Sequence, residues 1–247
     1  SVFRALRQHP ASAGPIGRKG VHYFDVEYQR GPNWYLGHFP LQSSVSRQAH
    51  RAGCPVVVGE ASPFYMAHPL AGRRIGADLP EVKVVALLRD PIERAYSAHA
   101  HELARGHETE DFETAIACEP NRLAGEADRM IAEPGYRSHA MRHHAYLFRG
   151  HYVDQLRALE QYIDRERILV LDSHRYFEEP DGEFGRLLEF LGLPATDDVI
   201  HDRHNMRPRL PLSGAVHGRL VDHFAPYDAA LADWLGWEPS WMIGLRT

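Results

Sequence analysis

The chain has 247 residues, a net charge of −5 with histidine neutral, 44% hydrophobic residues and 25% charged residues. This length and composition fit one α/β domain, residues 1–247, and the acidic balance excludes a general nucleic-acid binder. Cys54 and Cys118 are isolated thiols without metal-binding spacing, and no apolar run is long enough to span a membrane. These features predict a soluble protein in a reducing, cytoplasmic compartment.

Short apolar runs alternate along the chain with segments of helical periodicity, a pattern typical of an α/β fold with a parallel sheet. The predicted strands are 56–59, 84–88 and 168–171. The predicted helices are 1–8, 66–76, one that begins at Pro91, 112–118, 122–132, 151–163, 183–191, 213–224 and 229–235. A Pro/Gly-rich loop occupies residues 10–20, and the aromatic segment 28–39 is predicted to cover the core or to wall a binding site.

The sharpest local signal is the change from strand to helix around Arg89. Residues 84–88 suit a strand buried on both faces, and Asp90 and Pro91 suit the N-cap and first position of a helix. Arg89 is therefore predicted at the carboxyl end of a central strand, where ligands bind in open α/β sheets, with Ser97 about two turns into the helix. An arginine fork and a hydroxyl near a helix N-terminus suit a phosphate, although an Arg89–Asp90 pair that ties the turn explains the same residues.

Residues 89–97, Arg-Asp-Pro-Ile-Glu-Arg-Ala-Tyr-Ser, resemble the 3′-phosphate-binding motif of sulfotransferases that use 3′-phosphoadenosine 5′-phosphosulfate (PAPS). Further segments resemble landmarks of the heparan-sulfate, carbohydrate type of this family, in the same order: 22–25 (His-Tyr-Phe-Asp), 31–40, 59–65 (Gly-Glu-Ala-Ser-Pro-Phe-Tyr), 150–156 and 190–194 (Phe-Leu-Gly-Leu-Pro). The ordered set spans nearly the whole chain. Only Lys19 and Lys83 among the 28 basic residues are lysines, which is typical of a GC-rich genome and favours a bacterial member.

The resemblance implies a three-layer α/β sandwich of the P-loop nucleotide-kinase-like type, with a central parallel sheet between helices. It implies sulfuryl transfer from PAPS to a hydroxyl or amine of a carbohydrate, glycolipid or small natural product, with release of 3′,5′-adenosine bisphosphate (PAP). Arg89 and Ser97 would hold the 3′-phosphate, and Arg207 and Arg209 would close over the co-substrate. In this family a strand and a lysine-containing loop that bind the 5′-phosphosulfate precede the first helix, so both are expected before residue 1.

The residue expected to act as general base departs from the family pattern. The family has a glutamate where this chain has Gly20, so another group must accept the proton. His22 is one candidate, because the ordinary pKa of histidine suits base chemistry near neutral pH, and packing of its ring under residues 34–35 is the structural alternative. His101 is the other, because it lies four residues after Ser97 on the same helix face. Without a base the chain would be a relative that binds PAP or PAPS without catalysis, and a kinase-like phosphotransferase is a further alternative.

Three other predictions concern polar side chains. The segment 136–144 is dense in arginine and histidine and could bind an anionic acceptor or a metal, but its histidine spacing matches no standard zinc pattern. The sequence therefore predicts a solvated face and no metal site there. Glu60, after the strand 56–59, is predicted to be a carboxylate of the site or to anchor an arginine, with the second favoured, and His99 is predicted to face solvent.

Overall fold

The computed structural model describes residues 2–133, 135–196, 199–200 and 212–243. The strands within these residues are β1 Ser12–Ala13, β2 Val57–Val58, β3 Val84–Leu88 and β4 Ile168–Asp172. The α-helices are α1 Val2–Leu6, α2 Pro32–Leu36, α3 Gln42–Ala52, α4 Ala71–Asp78, α5 Pro91–Ala104, α6 Phe112–Leu123, α7 Glu126–Ala132, α8 His139–His143, α9 Tyr152–Glu160, α10 Ser173–Glu178, α11 Pro180–Leu191, α12 Gly214–Leu235 and α13 Ser240–Ile243. None of these helices is both long and apolar enough to cross a membrane.

The strands form two parallel pairs. β3 pairs with β4 in a register that places Val84 opposite Ile168 and Leu88 opposite Asp172, and β1 pairs with β2. The strand β3 has the predicted bounds, and β4 extends one residue beyond its prediction. The sequence does not predict β1, because its two residues lie in the Pro/Gly-rich segment and no β-branched run marks them.

Alternate residues of β3 and β4 pack against helices on opposite faces of the sheet. Ala86, Leu88, Ile168 and Val170 belong to one core with residues of α4, α9 and α12. Leu171 belongs to a second core with residues of α1, α10 and α11. Because helices cover both faces of this strand pair, the predicted three-layer arrangement is confirmed.

Helix α5 begins as its sequence predicts. Asp90 Oδ1 accepts hydrogen bonds from the backbone N–H groups of Ile92 at 2.8 Å and Glu93 at 3.2 Å, and Pro91 occupies the first helical position. Asp172 caps α10 in the same way at the end of β4. Side-chain caps thereby fix both strand-to-helix turns at the carboxyl end of the sheet.

The C-terminal helical segment differs from its prediction. It forms one helix, α12, instead of two, although Pro226 lies inside it. Its buried residues form one continuous stripe past the proline: Val216, Leu220, Phe224, Asp228 and Leu231. Packing along this stripe offsets the backbone hydrogen bond that proline cannot donate, so the helix continues.

His99 is buried, with 3% of its surface exposed, so the prediction that it faces solvent is wrong. Its Nε2 lies 2.9 Å from the carbonyl oxygen of Glu110, and its ring contacts those of Phe112 and Tyr146 edge-on. The physical reason is that α6 packs on this face of α5, which the sequence of α5 alone does not indicate.

Candidate active site at the carboxyl end of the sheet

Arg89 directly follows β3, and its backbone and side chain have different partners. Its carbonyl oxygen accepts a hydrogen bond from the Tyr152 hydroxyl at 2.9 Å. Its guanidinium donates to Glu93 Oε2 at 3.0 Å, and 41% of the Arg89 side chain remains exposed. Asp90 caps the helix instead, so the ion pair at this turn is Arg89–Glu93. Because both side chains of this pair are nearly half exposed, an anion can replace Glu93 at little cost.

The segment 150–152 holds this turn in place. A Cβ atom at Gly150 would lie 2.6 Å from the Phe224 ring and 3.1 Å from the Pro91 side chain, so glycine allows close packing against the start of α5. Tyr152 is buried, and this burial raises the pKa of its hydroxyl to about 12. The hydroxyl therefore stays protonated and remains a hydrogen-bond donor to Arg89.

Arg94 lies near Arg89, and Arg149 lies near Arg94. Burial lowers the pKa of Arg94, whose Nε has no partner among the described residues, and the charges of Arg89 and Arg94 act on each other. Burial and the neighbouring Arg94 lower the pKa of Arg149 to about 10. Glu119 near Arg94 and Glu102 near Arg149 offset part of this positive charge. The positive charges of Arg89 and Arg94 near the end of β3, with Arg149 beside Arg94, favour the binding of an anion.

Ser97 and His101 follow along α5. Ser97 is half-buried, and His101, one turn further, is exposed to solvent. Ser97 therefore shares one strand–turn–helix unit with Arg89, whereas His101 lies toward the far end of the helix. Arg207 and Arg209, the other predicted ligands of the co-substrate, lie outside the described residues.

His22 lies on a different segment, in a left-handed backbone conformation with φ 58° and ψ 32° that non-glycine residues rarely adopt. Its Nδ1 lies 2.8 Å from Asp25 Oδ2, and the Asp25 side chain is fully buried. This hydrogen bond raises the pKa of His22, and 40% of the histidine side chain is exposed. A buried carboxylate that orients one ring nitrogen of a histidine prepares the other nitrogen, here Nε2, to accept a proton.

Glu60 connects the His22 segment to the loop after β2. Its Oε2 accepts hydrogen bonds from the Val21 N–H at 2.6 Å and the Ser62 hydroxyl at 2.7 Å, and its Oε1 accepts one from the Tyr65 hydroxyl at 2.7 Å. Ser62 Oγ in turn accepts a hydrogen bond from the His22 N–H at 3.1 Å. The carboxylate thus helps to position His22, and the prediction that Glu60 anchors an arginine is wrong.

Gly20 packs directly against the same loop. A Cβ atom there would lie 2.6 Å from the Ala61 carbonyl oxygen and 2.7 Å from Ser62 Oγ, closer than real contacts allow. Because the nearest atom belongs to the backbone, a side chain fits only if the loop moves. Position 20 therefore contributes no carboxylate, and the titratable groups beside it are Glu60 and the His22–Asp25 pair.

This strand–turn–helix unit falls inside a match to a known protein family. A family model described as the sulfotransferase domain matches residues 69–207, which is more than half of the chain. The chain belongs to the sulfotransferase family. The matched segment contains β3, α5 and β4, and with them Arg89 and Ser97.

Individual sulfotransferases resemble this one over different lengths. It is 27% identical to human heparan sulfate glucosamine 3-O-sulfotransferase 3B1 over 204 residues, which are 83% of this chain and 45% of that protein. It is 35% identical over 94 residues to the membrane-associated sulfotransferase kil1 of Dictyostelium discoideum, or 38% of this chain and 18% of that protein. This sulfotransferase therefore spans less than half the length of these two relatives.

The fold also has a counterpart among solved structures. The crystal structure of a sulfotransferase from Alicyclobacillus acidocaldarius superposes with a TM-score of 0.69 over 97% of this chain and 91% of that chain, at 24% identity. This likeness confirms the P-loop-like sulfotransferase fold that the sequence resemblance implies, and it agrees with the helices found on both faces of β3 and β4.

The predicted site residues of this sulfotransferase fall into separate groups. Arg89 and Ser97 share the unit formed by β3, the turn and α5. The contacts of His22 go instead to Asp25 and to Ser62 in the loop after β2. His101 is exposed on α5. The roles of these residues toward substrates stay predictions.

Two residues of the site, Asp25 and Arg149, were not predicted from the sequence. Asp25 lies three residues after His22, a spacing at which two side chains meet on one helical turn. This spacing could have predicted the contact of Asp25 with His22. Arg149 directly precedes the Gly150 landmark, but nothing local indicates that it is buried beside Arg94, because that contact joins distant parts of the chain.

Proposed function

We propose that this sulfotransferase transfers a sulfuryl group from PAPS to a hydroxyl (or amine) of a carbohydrate, glycolipid or small natural product. The observation that carries the proposal is the partly exposed Arg89 guanidinium at the carboxyl end of β3, where the positive charge of Arg94 adds to its own. Relatives with names such as heparan sulfate glucosamine 3-O-sulfotransferase 3B1 support a sugar hydroxyl as acceptor.

Arg89 and Ser97 are proposed to bind the 3′-phosphate of the donor. The planar guanidinium can donate two parallel hydrogen bonds to a phosphate, and the serine hydroxyl can donate a third. Asp90 already accepts from the first free N–H groups of α5, so side chains rather than the helix N-terminus must supply most of the donors. Arg207 and Arg209 remain the proposed residues that close over the donor.

His22 is proposed as the general base, because the buried Asp25 carboxylate fixes its ring through Nδ1 and leaves Nε2 free to accept a proton. His22 Nε2 takes the hydroxyl proton while the acceptor oxygen forms its bond to sulfur and the bond from sulfur to the phosphate oxygen breaks. The products are the sulfated acceptor and PAP. Positioning of the two substrates and neutralisation of charge supply most of the rate in such an in-line displacement. His101 stays the second candidate base.

One observation favours the alternative of a relative that binds PAP without catalysis. The space around Gly20 excludes the glutamate that the family resemblance leads us to expect there. Sulfation of some acceptor by the wild-type protein therefore separates the two possibilities. A kinase-like phosphotransferase receives no support from the family to which the chain belongs.

The proposal is tested by calorimetric titration with PAP, beside 5′-AMP, which lacks the 3′-phosphate. We expect the wild type to prefer PAP and Arg89→Ala to lose about 10-fold to 100-fold of PAP affinity, since a hydrogen bond to a charged group contributes about 1.5–3 kcal/mol. Arg129→Ala is the matched control, because Arg129 forms the same kind of exposed pair with Glu133, four residues along its chain. Equal binding of PAP and 5′-AMP, or unchanged PAP affinity in Arg89→Ala, would contradict the proposal.

A further inference from the structure

Three histidine rings from two parts of the chain meet beside α5. His139 and His143 lie one turn apart on α8, and His107 lies in the turn after α5. One ligand nitrogen of each ring lies within 4.8 Å of the other two. The ring centroid of His143 lies 4.1 Å from that of His107 and 4.6 Å from that of His139. Histidines one helical turn apart can bind one metal ion together, and here a third ring joins them.

A buried carboxylate supports one of these rings. Glu102 Oε2 lies 2.8 Å from His143 Nδ1, and Glu102 is buried, with 9% of its surface exposed. The bond fixes the tautomer, so His143 carries its proton on Nδ1 and has Nε2 free to bind a ligand. A carboxylate that holds the second nitrogen of a histidine is the usual outer partner of a metal-bound imidazole.

The turn that carries His107 is held rigidly. The neighbouring Glu108 is buried and accepts hydrogen bonds from Arg122 at 2.6 and 3.2 Å and from the Tyr146 hydroxyl at 3.0 Å. His144 Nε2 donates to the His107 carbonyl oxygen at 2.8 Å, which ties the turn to the end of α8. Ligands on a fixed turn and one short helix lose little freedom when an ion binds.

Burial and neighbouring charged groups act on the rings of this cluster. Partial removal from water and the neighbouring His144 lower the pKa of His139. Burial lowers the pKa of His143 more than its bond to Glu102 raises it. Arg142 opposes a cation here, and Glu102 offsets that repulsion.

We propose that His107, His139 and His143 bind one Zn²⁺ ion, with Glu102 as the outer partner of His143 and a fourth position open to solvent. Tetrahedral Zn–N bonds of about 2.0–2.1 Å need ligand nitrogens about 3.3 Å apart, so nitrogens that now lie up to 4.8 Å apart must move closer together as the ion binds. The exposed His139 can rotate to allow this. Imidazole nitrogens also suit other late transition metals, which makes Co²⁺ a usable probe.

Bound metal would join α8 to the turn after α5, next to the candidate active site. Arg142 on α8 acts electrostatically on His22, and Arg137, just before α8, pairs with Glu27 at 3.0 Å. The ion would therefore stabilise one border of that site without touching the reacting groups. The proposal differs from the solvated face predicted from the sequence, because His107 is distant along the chain and only the fold brings it to α8.

The test uses the full chain without an affinity tag, stripped of metal with a chelator and titrated with Co²⁺ and then Zn²⁺. We expect one equivalent to give the intense visible absorption of tetrahedral Co²⁺ and Zn²⁺ to displace it. His139→Ala should lose this absorption and stay folded, because the residue is exposed. His174→Ala is the control, since His174 is also an exposed helical histidine, paired with Glu178 four residues along its chain, and should bind as the wild type does.

A second variant tests the outer partner. Glu102→Gln should lower Zn²⁺ affinity about 10-fold to 100-fold, because a neutral amide orients the His143 ring but makes it a weaker ligand. Zn²⁺ should raise the thermal unfolding temperature of the wild type and of His174→Ala, but not that of His139→Ala. Unchanged Zn²⁺ affinity in His139→Ala, or an octahedral Co²⁺ spectrum of the wild type, would overturn the proposal. Neither result depends on the proposed sulfuryl transfer.

Discussion

Two arginine–glutamate pairs of this chain have the same chemistry and opposite surroundings. Arg122 and Glu108 approach to 2.6 Å, and 1% of the Glu108 side chain is exposed. Arg89 and Glu93 approach to 3.0 Å, and 41% and 46% of their side chains are exposed. The first pair closes a turn, whereas the second lies open at the end of a strand.

The two pairs differ in how firmly their partners are held. Burial alone would raise the pKa of Glu108, but Arg122 and the N–H groups of Glu110 and Thr109 outweigh it and hold the pKa at about 2. The Arg89 guanidinium, in contrast, can leave its carboxylate for water or for a ligand. A pair with a buried carboxylate therefore stabilises the fold, and a pair with both side chains partly exposed keeps its cation available for binding.

The His22–Asp25 pair has a buried carboxylate, as in the first pair, and a partly exposed partner, as in the second. Substitution in this pair gives the largest expected effect, a loss of turnover. We expect His22→Ala to lower turnover about 100-fold to 10,000-fold with PAP affinity kept, because a positioned base contributes that much. Steady-state sulfation kinetics beside PAP titration measure both quantities. His101→Ala is the matched variant, and a larger loss there would assign the base to His101 instead.

The pH dependence of turnover sharpens this assignment. Asp25 raises the pKa of His22 in the folded protein, and a base must be neutral, so turnover should rise with pH through a midpoint above 6.5. The Asp25→Asn variant lacks the negative charge that raises the pKa of His22, so the midpoint of its turnover profile should move to lower pH. A profile that does not move would contradict the role of the pair.

Arg122→Ala should cost about 3 kcal/mol in the free energy of unfolding at pH 7, because it leaves the buried Glu108 carboxylate without its cation. Arg219→Ala is the control, since Arg219 and Glu113 form an exposed pair at 2.7 Å. The folded-state pKa of Glu108, about 2, lies below the unfolded value of 4.5, so its contribution is present above about pH 4.5 and is lost as pH falls toward 2. Urea unfolding at pH 7 and pH 3 should therefore show the variant closer to wild type in acid.

Arg89→Ala should change the free energy of unfolding by less than about 1 kcal/mol, the smallest of the expected effects. Urea unfolding of this variant beside Arg122→Ala measures the contrast directly. A loss in Arg89→Ala as large as that in Arg122→Ala would mean that Arg89 holds the turn together, and the comparison between the open and closed pairs would fail.

The sequence predicts the parts of the fold that depend on local signals. The β-branched run of β3, the cap at Asp90 and the proline at the start of α5 each lie within a few residues of one another, and all are confirmed. The helix α3, Gln42–Ala52, has no buried residue, so no apolar stripe indicates it. The buried stripe of α12 outweighs the proline that sequence reasoning treats as a boundary.

In the candidate site, too, the residues of one local motif could be predicted from the sequence, and contacts between distant segments could not. Arg89 and Ser97 belong to one continuous motif, so the sequence places them together. The contact of Glu60 with Val21, the ring contact of His99 with Tyr146, and the approach of His107 to α8 all join segments that are distant along the chain. No spacing rule indicates such contacts, because the packing of whole elements decides them.

The left-handed conformation of His22 has a consequence for attempts to engineer this protein. A side chain at this backbone geometry costs about 1–2 kcal/mol relative to glycine, which adopts it freely. A library selected for thermal stability alone would therefore favour glycine or asparagine at position 22. The selected variants would be more stable but would lack the proposed base. Selection for stability therefore needs a parallel readout of catalysis, because the residue in the strained conformation is also the proposed base.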